Sequence, residues 1–100
     1  MSKKSIIHKL IAPEVEALFE AVLLLKNRTE VKAFLRDLLT EKEILEFSNR
    51  WRVARLLNKG ISYIEIERQI GMSSTTIARV HKWLKKGMGG YRLMLKRIAD

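Results

Sequence analysis

After Pro13 the sequence contains no further proline, and from there to Ile98 its apolar residues recur at three- and four-residue spacing. The marks of strands and hairpins, alternating β-branched runs and Asn-Gly turns, are missing. An all-α fold follows, and the punctuation predicts six helices. The first is expected from Pro13 to about Lys26, with proline in the first turn, where its missing N–H removes no helical bond. Val15, Leu18, Phe19, Val22, Leu23 and Leu25 cover more than one side of it, which suits a helix central to a core or shared with a second subunit. Thr29 is expected to cap a second helix reaching about Leu39, with Val31, Phe34, Leu35 and Leu38 on its apolar face. Thr40 and Glu43 stand at capping-box spacing and open a third, whose stripe of Ile44, Phe47, Trp51 and Ala54 leads to Gly60. Ser62 and Glu65 repeat that spacing and start a short fourth helix that stops before Gly71.

The next segment carries the functional signal. Gly71 separates two short apolar patterns, Ile66 and Ile70 before it and Met72, Ile77 and Val80 after it, at the spacing of a helix-turn-helix over about residues 63–82. Ser73 or Ser74 can cap the second helix, and Ser74, Thr75 and Ala78 keep its first turns slim enough to approach base edges. Ser73, Ser74, Thr75 and Ala78 are therefore the candidate base readers. An ordinary helical corner with a glycine C-cap and a serine N-cap has the same pattern, so charge must decide between them.

The formal net charge is +9, and its distribution is uneven. Residues 1–49 hold eight Lys/Arg against eight Asp/Glu, whereas residues 50–100 hold twelve against three. A neutral apolar half joined to a basic half suits a scaffold carrying a polyanion-binding surface, and double-stranded DNA is the expected partner. Arg52, Arg55, Arg68, Lys82, Lys85 and Lys86 are the candidate phosphate contacts; a merely solvated basic face is the competing reading for such residues.

The segment Leu39-Thr40-Glu41-Lys42-Glu43, through Arg50-Trp51-Arg52-Val53 to Gly71, Thr76-Ile77-Ala78-Arg79 and Leu84-Lys85, resembles the Trp repressor family. With the run Lys86-Gly87-Met88-Gly89-Gly90-Tyr91 it resembles in more detail the small Trp-repressor-like YerC/YecD proteins of bacteria. The resemblance spans roughly residues 12–100. It implies a six-helix fold in which the N-terminal helices and the last one interlock between two subunits of a homodimer, and a transcriptional regulator, a repressor by analogy. It also implies a ligand site. Two arginines hold the corepressor in Trp repressor, and Arg50 and Arg79 occupy the matching positions. Val80 and Trp83 replace a glycine and a serine of the repressor there, and that bulk argues against L-tryptophan as effector. Trp83 either fills part of a remnant site or packs as a core or interface aromatic.

At 100 residues with 47% apolar side chains, one domain over residues 12–100 is expected, preceded by a flexible arm at 1–11. A domain of this size buries a limited core, and without cysteine no disulfide or thiolate metal site adds to it, so oligomerisation is the remaining source of burial. Glu14, Glu16 and Glu20 interrupt any secretory apolar run, and no segment has the length of a membrane span, so a soluble cytoplasmic protein is expected. No cofactor or metal is expected: His8 and His81 have no carboxylate at ligand spacing. The run Gly87-Met88-Gly89-Gly90 lacks the Gly-Lys-Ser/Thr of a phosphate loop and is read as a hinge, with Gly87 ending the fifth helix. Tyr91, Leu93, Met94, Leu95 and Ile98 give the sixth an apolar side, and Met88 and Met94 are expected in the core. No nucleophile or acid/base pair of an enzyme can be assembled. The alternative to a DNA-binding regulator is a helical protein–protein adaptor; RNA suits the motif less well, because its major groove is narrow.

Overall fold

The computed structural model describes Lys9 and residues 12–99. Between residues 12 and 99 there are six helices and no strand: α1 (Pro13–Leu23), α2 (Arg28–Leu38), α3 (Glu41–Asn58), α4 (Tyr63–Ile70), α5 (Ser74–Lys86) and α6 (Gly90–Ala99). The expected all-α class is the observed one. The arm expected at residues 1–11 lies, Lys9 apart, outside the described residues. The chain divides into two compact units, one up to Leu39 and one from Thr40 onward.

In the first unit α1 begins with Pro13 in its first turn and ends at Leu23, short of the expected Lys26. The chain breaks there to deliver Asn27 as the N-cap of α2. Asn27 is extended (φ −154°, ψ 174°), and its side-chain oxygen accepts from the Glu30 N–H at 3.0 Å. The Glu30 carboxylate in turn accepts from the Lys26 N–H at 3.0 Å. Thr29, the expected cap, therefore lies inside the helix; asparagine is the stronger N-cap and stands where the extended backbone begins. Neither α1 nor α2 contains a buried residue, and Leu23 and Leu24 are 77% and 74% exposed.

The second unit starts from the capping box read in the sequence. Thr40 Oγ1 accepts from the Glu43 N–H at 3.1 Å, and Glu43 Oε1 accepts from the Thr40 N–H at 2.9 Å. The Thr40 N–H first, and the Thr40 hydroxyl second, hold the Glu43 carboxyl below its usual range by favouring its charged form. The core lies toward the C-terminal half of α3, where Val53 and Ala54 meet Ile66, Ile77 and Val80. Phe47, part of the expected apolar stripe, is half exposed with the Arg50 guanidinium 5.5 Å above its ring. It precedes the stretch of α3 that supplies this core, so the apolar period continues beyond what is covered.

Gly71 closes α4 in the left-handed region (φ 77°), which a Cβ would strain. The turn of Gly71, Met72 and Ser73 leads into α5, which packs on α3, α4 and α6. From α6, Arg92 donates through Nε to the Leu84 carbonyl at 3.0 Å and through Nη2 to the Lys85 carbonyl at 2.7 Å, satisfying acceptors that the end of α5 leaves open. Leu95 is the buried residue of α6. Met88 is fully exposed and Met94 nearly half exposed, contrary to the expected core positions. Met88 stands in the loop between α5 and α6, and the inward place on α6 is taken by Leu95.

Candidate nucleic-acid interface

The surface that matters is the outer side of α5. Ile77 and Val80 turn inward and are buried, so Ser74, Thr75, Ala78, Arg79, Lys82, Lys85 and Lys86 are left exposed. Successive residues at 100° intervals put Thr75, Arg79, Lys82 and Lys86 close to one line, flanked by Ala78 and Lys85. The helix N-terminus thus carries small hydroxyl and methyl groups, and its second half carries cations.

Ser73 has a different job from the other small residues. Its hydroxyl accepts from the Thr76 N–H at 3.3 Å and pairs with Thr76 Oγ1 at 3.1 Å, so Ser73 is the cap, although it stays exposed. Ser74 and Thr75 make no side-chain hydrogen bond among the described residues and remain available to a ligand.

On α4 the Ser62 half of the second capping box forms, with its hydroxyl accepting from the Glu65 N–H at 3.2 Å. The Glu65 carboxylate turns to Arg68 and Gln69. Arg68 donates through Nε at 2.9 Å and Nη2 at 2.5 Å, and Gln69 Nε2 donates at 2.9 Å. Arg68 lowers the Glu65 pKa to about 2, with a smaller effect from Gln69, and the carboxylate raises that of Arg68. One edge of the Arg68 guanidinium is therefore already occupied. On α3, Arg52 reaches Gln69 at 3.5 Å and Arg55 lies 5.9 Å over the Trp51 ring, both exposed.

Arg50 and Arg79 come together with Val80 and Trp83 around one cavity of about 200 Å³, which Thr76 and Tyr91 complete. Trp83 walls this cavity while remaining 55% exposed, and Lys82 Nζ stands 5.9 Å over its ring. Within the second unit it is therefore not a core aromatic. Trp83 also lines an apolar groove of about 630 Å³ with Trp51, Met88, Tyr91, Met94 and Ile98. Trp51 and Tyr91 stack there at 6.3 Å and 11°.

Tyr63 Oη and His81 Nδ1 lie 2.6 Å apart, joining the first residue of α4 to the middle of α5. This pair was not legible in sequence, because nothing in a separation of 18 residues signals it. Arg92 was missed too, although a cation that can reach the end of a preceding helix is a recognisable candidate for capping its carbonyls.

The sequence profile of the Trp repressor protein family matches residues 13–99. The chain belongs to the Trp repressor family. Among family relatives, the uncharacterized protein YerC of Bacillus subtilis (strain 168) is 38% identical over 94 residues, covering 94% of this chain and 90% of YerC. A TrpR-like protein from Eubacterium eligens ATCC 27750 superposes with a TM-score of 0.87 at 38% identity, covering 92% of this chain and 95% of that one. A candidate Trp repressor from Staphylococcus aureus superposes at 0.85 and 39% identity, covering 93% of each chain. The Trp-repressor-like fold of this family is thus the fold of the chain. Within it, Arg50 and Arg79 line one cavity, with Val80 and Trp83 as two of its walls.

Proposed function

We propose that this Trp repressor family member is a sequence-specific DNA-binding transcriptional regulator, acting as a homodimer and most simply as a repressor. The observation that carries the reading is the outer side of α5: unengaged small groups at Ser74, Thr75 and Ala78 lead into exposed Lys82, Lys85 and Lys86. Small residues at a helix N-terminus can enter a major groove and meet base edges, while lysines further along meet phosphates. Arg52, Arg55 and the free edge of Arg68 add phosphate contacts from α3 and α4. Two copies would place two such helices about one DNA turn apart, roughly 34 Å, on a palindromic site. The apolar side chains exposed on α1 and the groove beside Trp83 are surfaces that a second copy would cover.

L-Tryptophan is not the effector in this reading. The cavity of about 200 Å³ falls below the roughly 300–1,000 Å³ usual for small-molecule sites, and Val80 and Trp83 take the space. Capture of genomic duplexes by the purified protein, with Ser74→Glu as control, tests the proposal. A few palindromic sites enriched by wild type, lost in the variant and indifferent to tryptophan, is the expected result. Equal and unselective capture by both proteins would remove base readout by α5 and leave a helical adaptor with a basic side.

A further inference from the structure

The hydrogen bond between Tyr63 and His81 sits where it has most leverage on the relative placement of α4 and α5. The two helices meet at the turn of Gly71, Met72 and Ser73, and Tyr63 is the residue of α4 furthest from that turn. At 1.5 Å per residue the bond lies about 10–12 Å from the turn along either helix. Gly71 is at φ 77°, and a side chain placed there would find open space, so within the turn only Met72 packs against the core. Between the two ends the buried contact is made by Ile66, Ile77 and Val80, whose attraction is non-directional and does not by itself select one angle. Among the described residues, Tyr63–His81 is the only side-chain hydrogen bond joining α4 to α5. The rings also meet edge to face, with centroids 5.6 Å apart at 69°.

We propose that Tyr63 and His81 are a positioning pair that sets the angle between α4 and α5 and thereby the fit of the α5 surface to DNA. With the phenol as donor to Nδ1, the neutral imidazole is held as the tautomer protonated at Nε2. This rests on the DNA-binding reading above and adds to it residues that touch no base. A slack of about 1 Å at a lever of about 11 Å opens the angle by about 5°, and at Lys86, about 18 Å from the turn, displaces the helix by about 1.5 Å. A hydrogen bond tolerates about 0.5 Å before it weakens, so contacts made from α4 and from both ends of α5 could no longer be satisfied together.

The test uses the full chain, wild type and Tyr63→Phe, which keeps the ring and deletes the hydroxyl. Affinity is measured for a captured site and for random duplex, thermal melting is followed alongside, and the ring nitrogens of His81 are observed by ¹⁵N NMR with the imidazole neutral. We expect wild-type His81 to show one tautomer and the variant a mixture. We also expect the specific-to-random ratio to fall about tenfold, the equivalent of one good base contact, with random-duplex affinity unchanged. His81→Phe should lose as much, and the double variant no more than either single one, because all three lack the same bond. A variant that keeps the wild-type ratio overturns the proposal, as does a tautomer mixture in wild type. A wild type without sequence preference instead overturns the DNA-reading function, and the positioning role falls with it.

Discussion

Arg68 can serve DNA only by sharing its guanidinium with Glu65, and that competition can be measured. The folded Glu65 carboxyl has a pKa of about 2 against an ordinary 4.5, held down by the bond from Arg68 first and from Gln69 second. A depressed carboxyl pKa contributes stability that is present above about pH 4.5 and is lost as pH falls toward 2. Both partners keep contact with water, the Arg68 side chain 74% and the Glu65 side chain 36% exposed, so the gain in stability is small and the titration itself is the better readout. Side-chain ¹³C NMR should show Glu65 titrating near 2 in wild type and substantially higher in Arg68→Ala; an ordinary value in wild type would mean the pair does not form in solution. A second residue-scale prediction concerns Gly87. A Cβ there would collide with the Trp83 backbone carbonyl, which is held in the last turn of α5 by the Gly87 N–H at 2.9 Å. Gly87→Ala should therefore cost about 1–3 kcal/mol in denaturant unfolding, as overpacking does. An unchanged midpoint would show that the end of α5 yields freely.

At the scale of the helix, two caps of the same chemistry should behave differently. Thr40 caps α3 and Ser73 caps α5, each through a hydroxyl accepting from a backbone N–H three residues on. Replacing either by alanine should remove about 1 kcal/mol of stability. Only Ser73→Ala frays the turn that carries Ser74 and Thr75, so it alone should also lower the preference for a captured site over random duplex. Equal loss of preference in Thr40→Ala and Ser73→Ala, at equal stability, would show that discrimination follows global stability and not the order of the α5 N-terminus. The inner side of the same helix is less forgiving. Ile77 is fully buried, and Ile77→Ala should cost about 2–5 kcal/mol through lost contacts and the cavity left behind.

For the whole molecule, charge and exposed apolar area point in complementary directions. The basic excess lies entirely in residues 50–100, whereas α1 and α2 bury no residue, and Phe19, Val22 and Leu23 of α1 and the following Leu24 are exposed. A homodimer using the N-terminal helices would cover such side chains and leave the basic surface to a polyanion. Sedimentation should give twice the mass of the 11.7 kDa chain, and Leu23→Glu should shift it toward monomer by placing a charge in that contact. A wild type that sediments as a monomer at all accessible concentrations would reject the dimer.

Periodicity and punctuation made much of this protein legible before any coordinates. The helical class, the Thr40–Glu43 box, the Gly71 break and the inward places of Ile66, Ile77 and Val80 are local matters of backbone geometry and 3.6-residue spacing, which short stretches of chain encode by themselves. Where a helix yields to a stronger neighbouring cap, as α1 does before Asn27, two local signals compete and only the folded backbone shows which prevails. Apolar pattern also overstates burial. Phe47 fits the pattern yet stays half exposed, and Met88, expected in the core, is fully exposed, because burial depends on which other elements arrive, and that is a long-range property. For the same reason, the meeting of Arg92 with the end of α5 and of Tyr63 with His81 was decided by tertiary structure alone, and that of Arg50 with Arg79 around one cavity was expected only through the family resemblance. Those contacts join residues on different helices, and their distances are set by how the helices pack.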